Sequence, residues 1–222
     1  LQTRLMEESE IRITSSSTPG TYIIPSLIYL FRQSYPYITV INHIQYTRSA
    51  ISDVIGGNFF LGIISQPASV GTDVLCCEPL MEDPLVLVVH PQHPWAEKRG
   101  ILFKEITEET LLISNPNTSL VNYLEKEGRL SLEPSRLYVA GNIEAIKRGI
   151  RNHQGISIMS EYAVRQELEL GLLKQVPLLD HPGLKRQLYT IFRKDTRFKL
   201  STSLFLEFFR KAAEDNRLLS QL

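Results

Sequence analysis

Four hydroxyl side chains in succession, Ser15, Ser16, Ser17 and Thr18, stand immediately before the pair Pro19-Gly20. Such a run can serve three chemistries: a nucleophilic serine, a phosphate loop, or a neutral cradle for a small ligand. The first two need companions, and neither a G-x-x-x-x-G-K-[ST] nor a G-x-S-x-G pattern is present. The flanks place the run. Ile11 and Ile13 alternate with polar residues as in a strand, whereas Ile23, Ile24, Leu27, Leu30 and Phe31 recur at helical spacing. The hydroxyls therefore sit where a strand feeds a helix, with Thr18 as expected N-cap and Pro19 at the first helical position. The first N–H groups of a helix lack partners within it and lie at the positive end of its dipole, so an anion or carbonyl can dock there. The same residues also read as a helix cap followed by tolerated loop hydroxyls.

Acid–base chemistry would need a His, a Cys or paired carboxylates converging on a nucleophile. The histidines are scattered: His43 in a strand, His90 and His93 in a Pro-rich turn, His153 between a helix and a strand, His181 beside a proline. His90 and His93 have the spacing of a metal pair, but no nearby residues complete a site, and no metal or cofactor is expected. Cys76 and Cys77 are neighbours in "DVLCCEPL", which reads as a strand, so their side chains point to opposite faces. They are expected to be buried structural thiols in a reducing compartment.

The elements that must position the hydroxyls follow from periodicity. Strands are expected over residues 10–16, 38–44 and 59–64, with helices over 20–33 and 49–55 between them, a β-α-β-α-β order that implies a parallel sheet. A very apolar strand, "LVLVV", follows Asp83-Pro84, and the prolines of "HPQHPWAEK" forbid regular structure after it. A second α/β block then has strands at 111–113, 137–140, 156–160 and near Val176, and helices at 120–127, 143–150 and 161–170. A strand over 184–194 and an amphipathic helix built on Leu200, Leu204, Phe205, Phe208, Phe209, Ala212 and Ala213 close the chain.

This order predicts an α/β fold of two Rossmann-like subdomains joined by two crossing segments. Subdomain I comprises 10–82 plus 183–222 and subdomain II comprises 83–182. Ligands bind α/β sheets at the carboxyl ends of parallel strands. There the sequence offers Ser15 to Thr18, Ser65, Asn115, Asn117, Thr118, Ser119 and Asn142, all of them neutral. For Asn115 and Asn117, turn formation beside Pro116 and ligand contact both remain open.

Bulk properties narrow the function classes. The 222 residues carry 24 basic and 24 acidic side chains, so the segment lacks the basic footprint of a nucleic-acid binder. No apolar stretch approaches the roughly 20 residues of a membrane span. "LQTRLMEESE" lacks the apolar core of a signal peptide, which makes the cytoplasm the expected location. Leu1 and Leu5 fall on one side of this charged segment, as at the end of a longer helix whose beginning precedes the chain.

Several stretches, in order, resemble the effector-binding (regulatory) domain of LysR-type transcriptional regulators. They are "GTYIIPSLIYLFRQSYPYITV" from Gly20, "DVIGGNFFLGII" from Asp53, "PLVLVVHPQHPWA" from Pro84 and "NIEAIKRGIRNHQGISIMS" from Asn142. The resemblance implies a periplasmic-binding-protein type II-like fold with a metabolite in the cleft between the subdomains. It also implies a winged helix-turn-helix preceding this chain, with residues 1–9 as the end of a linker helix. Carried over by position, the effector contacts are Ser16, Thr18, Ser65, the segment from Asn115 to Ser119, and Gly141 or Asn142. Thr47 and Ser49, preceding the second helix, are added to them. Two positions depart from the family pattern: Phe60 stands where an acidic residue is usual, and His153 where glycine is common.

The expected function is therefore ligand sensing. A small anionic or polar metabolite would bind reversibly and shift the geometry of a homodimer or homotetramer to control transcription, with DNA reached only through the preceding domain. Two alternatives share the fold: a secreted or periplasmic solute-binding protein, which needs an export signal, and a small transferase, which needs a reactive cluster in the cleft.

Overall fold

The computed structural model describes residues 10–65, 73–116, 119–128 and 133–214. The expected linker helix over 1–9 lies outside them, as do Asn117 and Thr118. The chain divides into two compact units, the first running up to Glu82 and resuming at Gln187, the second spanning Asp83 to Arg186. Against the expected second boundary at 182/183, the units divide at 186/187.

In the first unit, β1 (Glu10–Ser16) lies parallel to β2 (Thr39–Gln45) on one side and to β3 (Leu61–Ser65) on the other, with Ile13 opposite both Asn42 and Leu61. β9 (Lys185–Arg193) runs antiparallel on β3, with Gly62 opposite Ile191. Parallel neighbours need a crossover, and helices supply it. One is α1 (Ile24–Ser34), entered through a π-helical turn at Pro19–Ile23, and the other is α2 (Thr47–Ile55). α1 buries Ile24, Leu27 and Phe31, spaced to share one face. The Phe31 ring meets Phe205 and Phe208 of the last helix, α6 (Leu200–Glu214), edge-on at 5.2 and 5.5 Å. Fully burying such a ring contributes about 1.5–3 kcal/mol, which ties the end of the chain to its beginning.

The second unit takes its strand from β4 (Leu75–Val89), which pairs antiparallel with β7 (Ser157–Ser160) and β8 (Lys174–Val176). Leu85, Leu87 and Val89 join one core cluster with Trp95, Phe103, Ile106 and Ile158, while Val86 and Val88 join another with Ile146, Ile150, Met159 and Val164. Both faces are covered, which explains the unbroken apolar run. β5 (Leu111–Ile113) and β6 (Leu137–Val139) form a short parallel pair, and α3 (Ser119–Gly128), α4 (Ile143–Arg151) and α5 (Glu161–Glu169) complete the unit. Leu111 also bridges Ile156, and there Gly155, at φ 145°, is required: a Cβ would come within 2.2 Å of the Thr110 carbonyl oxygen.

Three expectations need correction. "DVLCCEPL" and "LVLVV" are one continuous strand, because Pro79 and Pro84 keep extended backbone and cost only their own N–H donors. Helix α2 begins at Thr47, so Thr47 and Ser49 are inside its first turn rather than before it. A 3₁₀ segment, on which the sequence reading was silent, lies at Phe103–Glu108 ahead of β5. Cys76 and Cys77 are free and half-buried rather than buried. Burial, with Glu78 adding its charge at Cys76, raises both thiol pKa values, which disfavours thiolate chemistry.

Candidate functional site

The carboxyl ends of β1 and β3 bring two hydroxyls together. The Ser16 Oγ accepts the Ser65 backbone N–H at 2.9 Å and lies 3.3 Å from the Ser65 Oγ, and both residues are buried. Beyond the strand, Ser17 and Thr18 are already helical, and Thr18 is buried with its backbone in the right-handed region. Thr18 therefore does not act as the expected N-cap, and its side chain makes no cap hydrogen bond. The helix starts a turn earlier than periodicity suggests, directly out of the strand. Ser17 is the half-exposed hydroxyl of the run.

Ser15 faces the opposite way. Its Oγ donates to Asn42 Oδ1 at 2.7 Å, and Asn42 Nδ2 donates to the Gly20 carbonyl at 3.2 Å. A Cβ at position 20 would meet Ser15 Oγ at 2.3 Å, so a side chain there would push that hydroxyl off Asn42. On the same strand Gln45 Nε2 donates to Thr14 Oγ1 at 2.8 Å and to Asp53 at 2.7 Å, fastening the end of β2 to α2. The amides of Gln45 and then Asn58 hold Asp53 below the usual carboxylate pKa. Gly20, Asn42 and Gln45 were not singled out by sequence reasoning. An Asn and a Gln on the polar positions of "TVINHIQ" were the available signal.

The remaining candidates belong to other places. Thr47 and Ser49 occupy the first turn of α2 in the first unit, half-buried and exposed respectively. In the second unit, Asn142 is the N-cap of α4, where its Oδ1 accepts the Ala145 N–H at 2.9 Å. Capping thus accounts for that oxygen. Asn115 is half-buried in the turn after β5, and Ser119 opens α3.

Ionisable groups gather in the second unit. His90 and His153 do not stay scattered: their rings lie 3.6 Å apart, tilted by 36°. His93 Nδ1 accepts the Trp95 N–H at 3.2 Å and its Nε2 is 3.6 Å from Glu109. Burial first, and the neighbouring histidines after it, hold His90 below the ordinary histidine pKa; burial likewise dominates at His93 over the opposing Glu109. His153 sits at φ 59°, the left-handed conformation that glycine would take more easily. Among the described residues, no group of three or more His, Cys, Asp or Glu is arranged to hold a metal ion. Deeper in the unit, Asp83 accepts from Arg186 Nε at 2.7 Å and from the Ser160 hydroxyl at 2.5 Å.

Chemically, the strand-to-helix junction of the first unit presents neutral hydroxyls and backbone N–H groups. Ser15 bonds to an amide, and Ser16 to a second serine. In these bonds neither hydroxyl is paired with a histidine or a carboxylate, the partners that activate a serine.

The architecture is that of the type II periplasmic-binding-protein-like fold. The regulatory domain of CcmR from Synechocystis PCC6803, solved in complex with 2-PG, matches with a TM-score of 0.80, at 23% identity over 93% of this chain and 98% of that one. The effector-binding domain of QuiR in complex with shikimate matches with a TM-score of 0.77, at 21% identity over 92% of this chain and 97% of that one. Residues 6–214 match the LysR substrate binding domain, and the chain belongs to that family. A protein of Cyanidium caldarium named as a probable RuBisCO transcriptional regulator is 32% identical over 196 residues, covering 86% of this chain and 61% of that protein. The chain thus spans less than two thirds of that relative's length.

Proposed function

We propose that this chain is the sensing part of a LysR-type transcriptional regulator, and that its ligand is a small carboxylate- or phosphate-bearing metabolite held at the Ser16–Thr18 junction. The observation that carries this reading is the pair of buried hydroxyls, Ser16 and Ser65, held together at the point where β1 runs into the first turn of a helix. Hydrogen bonds and dipole act together on an anion there. The relatives supply the chemical class: 2-phosphoglycolate carries a phosphate and a carboxylate, shikimate a carboxylate, and both occupy domains of this fold. 2-Phosphoglycolate is accordingly the first compound to test.

A binding event controls transcription only if the ligand favours one conformation over another. The rest of the regulator, outside this chain, carries the DNA-contacting domain in this reading, and the whole works as a homodimer or homotetramer in the cytoplasm. No helix among the described residues is long and apolar enough to cross a membrane. The remaining second-unit candidates, Asn115, Asn117, Thr118, Ser119 and Asn142, and Thr47 and Ser49 in the first, stay as proposed contacts.

Calorimetry with 2-phosphoglycolate tests the assignment. Thr18→Ala and Ser17→Ala should each weaken binding by about 0.5–1.5 kcal/mol, the net worth of one hydrogen bond, with the thermal midpoint nearly unchanged. Unaltered affinity in both variants removes these hydroxyls from the site.

A further inference from the structure

The entrance to α1 contains a carbonyl that its own helix cannot satisfy. In the π-helical turn Pro19–Ile23, the Ile24 N–H bonds to the Pro19 carbonyl, five residues back. In that register the donor for the Gly20 carbonyl would be the N–H of residue 25, and residue 25 is proline. The α register offers no relief, because its donor, Ile24 N–H, is already turned to Pro19. The missing donor comes from a different strand: Asn42 Nδ2 reaches the Gly20 carbonyl at 3.2 Å, while its Oδ1 is held at 2.7 Å by the Ser15 hydroxyl. Asn42 is thereby clamped at both ends of its amide, between the penultimate residue of β1 and the second residue of the π turn.

We propose that Asn42 is the positioning residue of the ligand site: by closing the π turn it sets the direction of the N–H groups at Ser17 and Thr18 without touching the ligand. Widened helical turns are frequent at functional sites, and here the widening has an identifiable cause in Pro25 and an identifiable partner in Asn42. The proposal rests on the reading of the junction as the ligand site.

Three variants test it, each followed by amide hydrogen exchange over residues 17–24 and by calorimetry with 2-phosphoglycolate. Asn42→Leu removes both halves of the clamp. It should raise the dissociation constant about ten-fold, the scale of a buried group losing its partner, and speed exchange at the turn while leaving the second unit's amides unchanged. Ser15→Ala, the milder change, should act in the same direction. Pro25→Ala returns an N–H to residue 25, so Asn42→Leu should cost less binding in that background than alone. This rescue separates positioning from a general packing defect, which the backbone N–H would not repair. Faster exchange with unchanged affinity makes Asn42 merely structural and overturns the proposal, as does a turn whose exchange is unaffected in a folded variant. If the unvaried protein fails to bind 2-phosphoglycolate, the reading of the junction as that anion's site falls and the positioning role falls with it, an outcome distinct from one in which the unvaried protein binds and the Asn42→Leu protein binds equally well.

Discussion

The two units bury different kinds of polar group. In the first, the buried polar side chains among the described residues are all hydroxyls: Thr14, Ser15, Ser16, Thr18, Ser65, Thr190 and Ser201. In the second, two serines, Ser157 and Ser160, accompany three charged residues, Asp83, Lys147 and Arg186. Lys147 meets Glu144 at 2.7 Å and Glu167 at 2.8 Å and donates to the Ala163 carbonyl. Burial opposes its charge, but the two carboxylates outweigh it and hold its pKa above the ordinary lysine value. A hydroxyl is inexpensive to bury once it has one partner, and it does not titrate. A buried charge must be matched, and its loss leaves the partner stranded. The first unit is therefore suited to a binding surface whose chemistry is constant with pH, and the second to a framework whose stability depends on ionisation.

The sharpest break in that contrast is Asp83→Ala. It deprives a buried guanidinium of its carboxylate and should destabilise the second unit by about 3–5 kcal/mol. Urea unfolding followed by the emission of Trp95, the sole tryptophan and a core residue of that unit, reads the loss directly. Ser16→Ala is the counterpart in the first unit. It leaves the buried Ser65 N–H without its acceptor, so about 1–3 kcal/mol should be lost, and the loss should be equal at pH 5 and pH 8. A loss that varies with pH would show that an ionisable group acts at the junction after all.

The smallest effect is the pH dependence of the second unit itself. His90 and His93 are held below the ordinary histidine value of 6.5, so the unfolded chain binds protons first as pH falls. Their contribution to stability is complete above pH 6.5 and declines as pH drops below it toward the folded values. His153→Gly removes one of the rings whose charge opposes that of His90, and should flatten this decline. An unchanged slope would remove His153 from the coupling.

Much of the fold was legible because local pattern and tertiary structure agree. The strand Leu111–Ile113 and the start of the last helix at Leu200 fall where hydrophobic spacing puts them. The strand-helix junction at Ser15 to Thr18 was legible for the same reason. Helical period also predicted a cap at Thr18, but the true entrance depends on a proline ahead and an asparagine on another strand. Neither the Asn42–Gly20 bond nor the His90–His153 contact has a local signature, since each joins segments that meet only after the chain has folded. β4 was misread at its prolines because a rule about donors was applied as if it were a rule about backbone shape.

Pro25 also constrains the order of assembly. A peptide ending before β2 holds every residue of the first crossover helix, yet it lacks the side chain that bonds the Gly20 carbonyl. The helix can wind before the second strand arrives; its mouth cannot close. With Asn42 in its proposed role, binding at the junction awaits the pairing of β2 with β1.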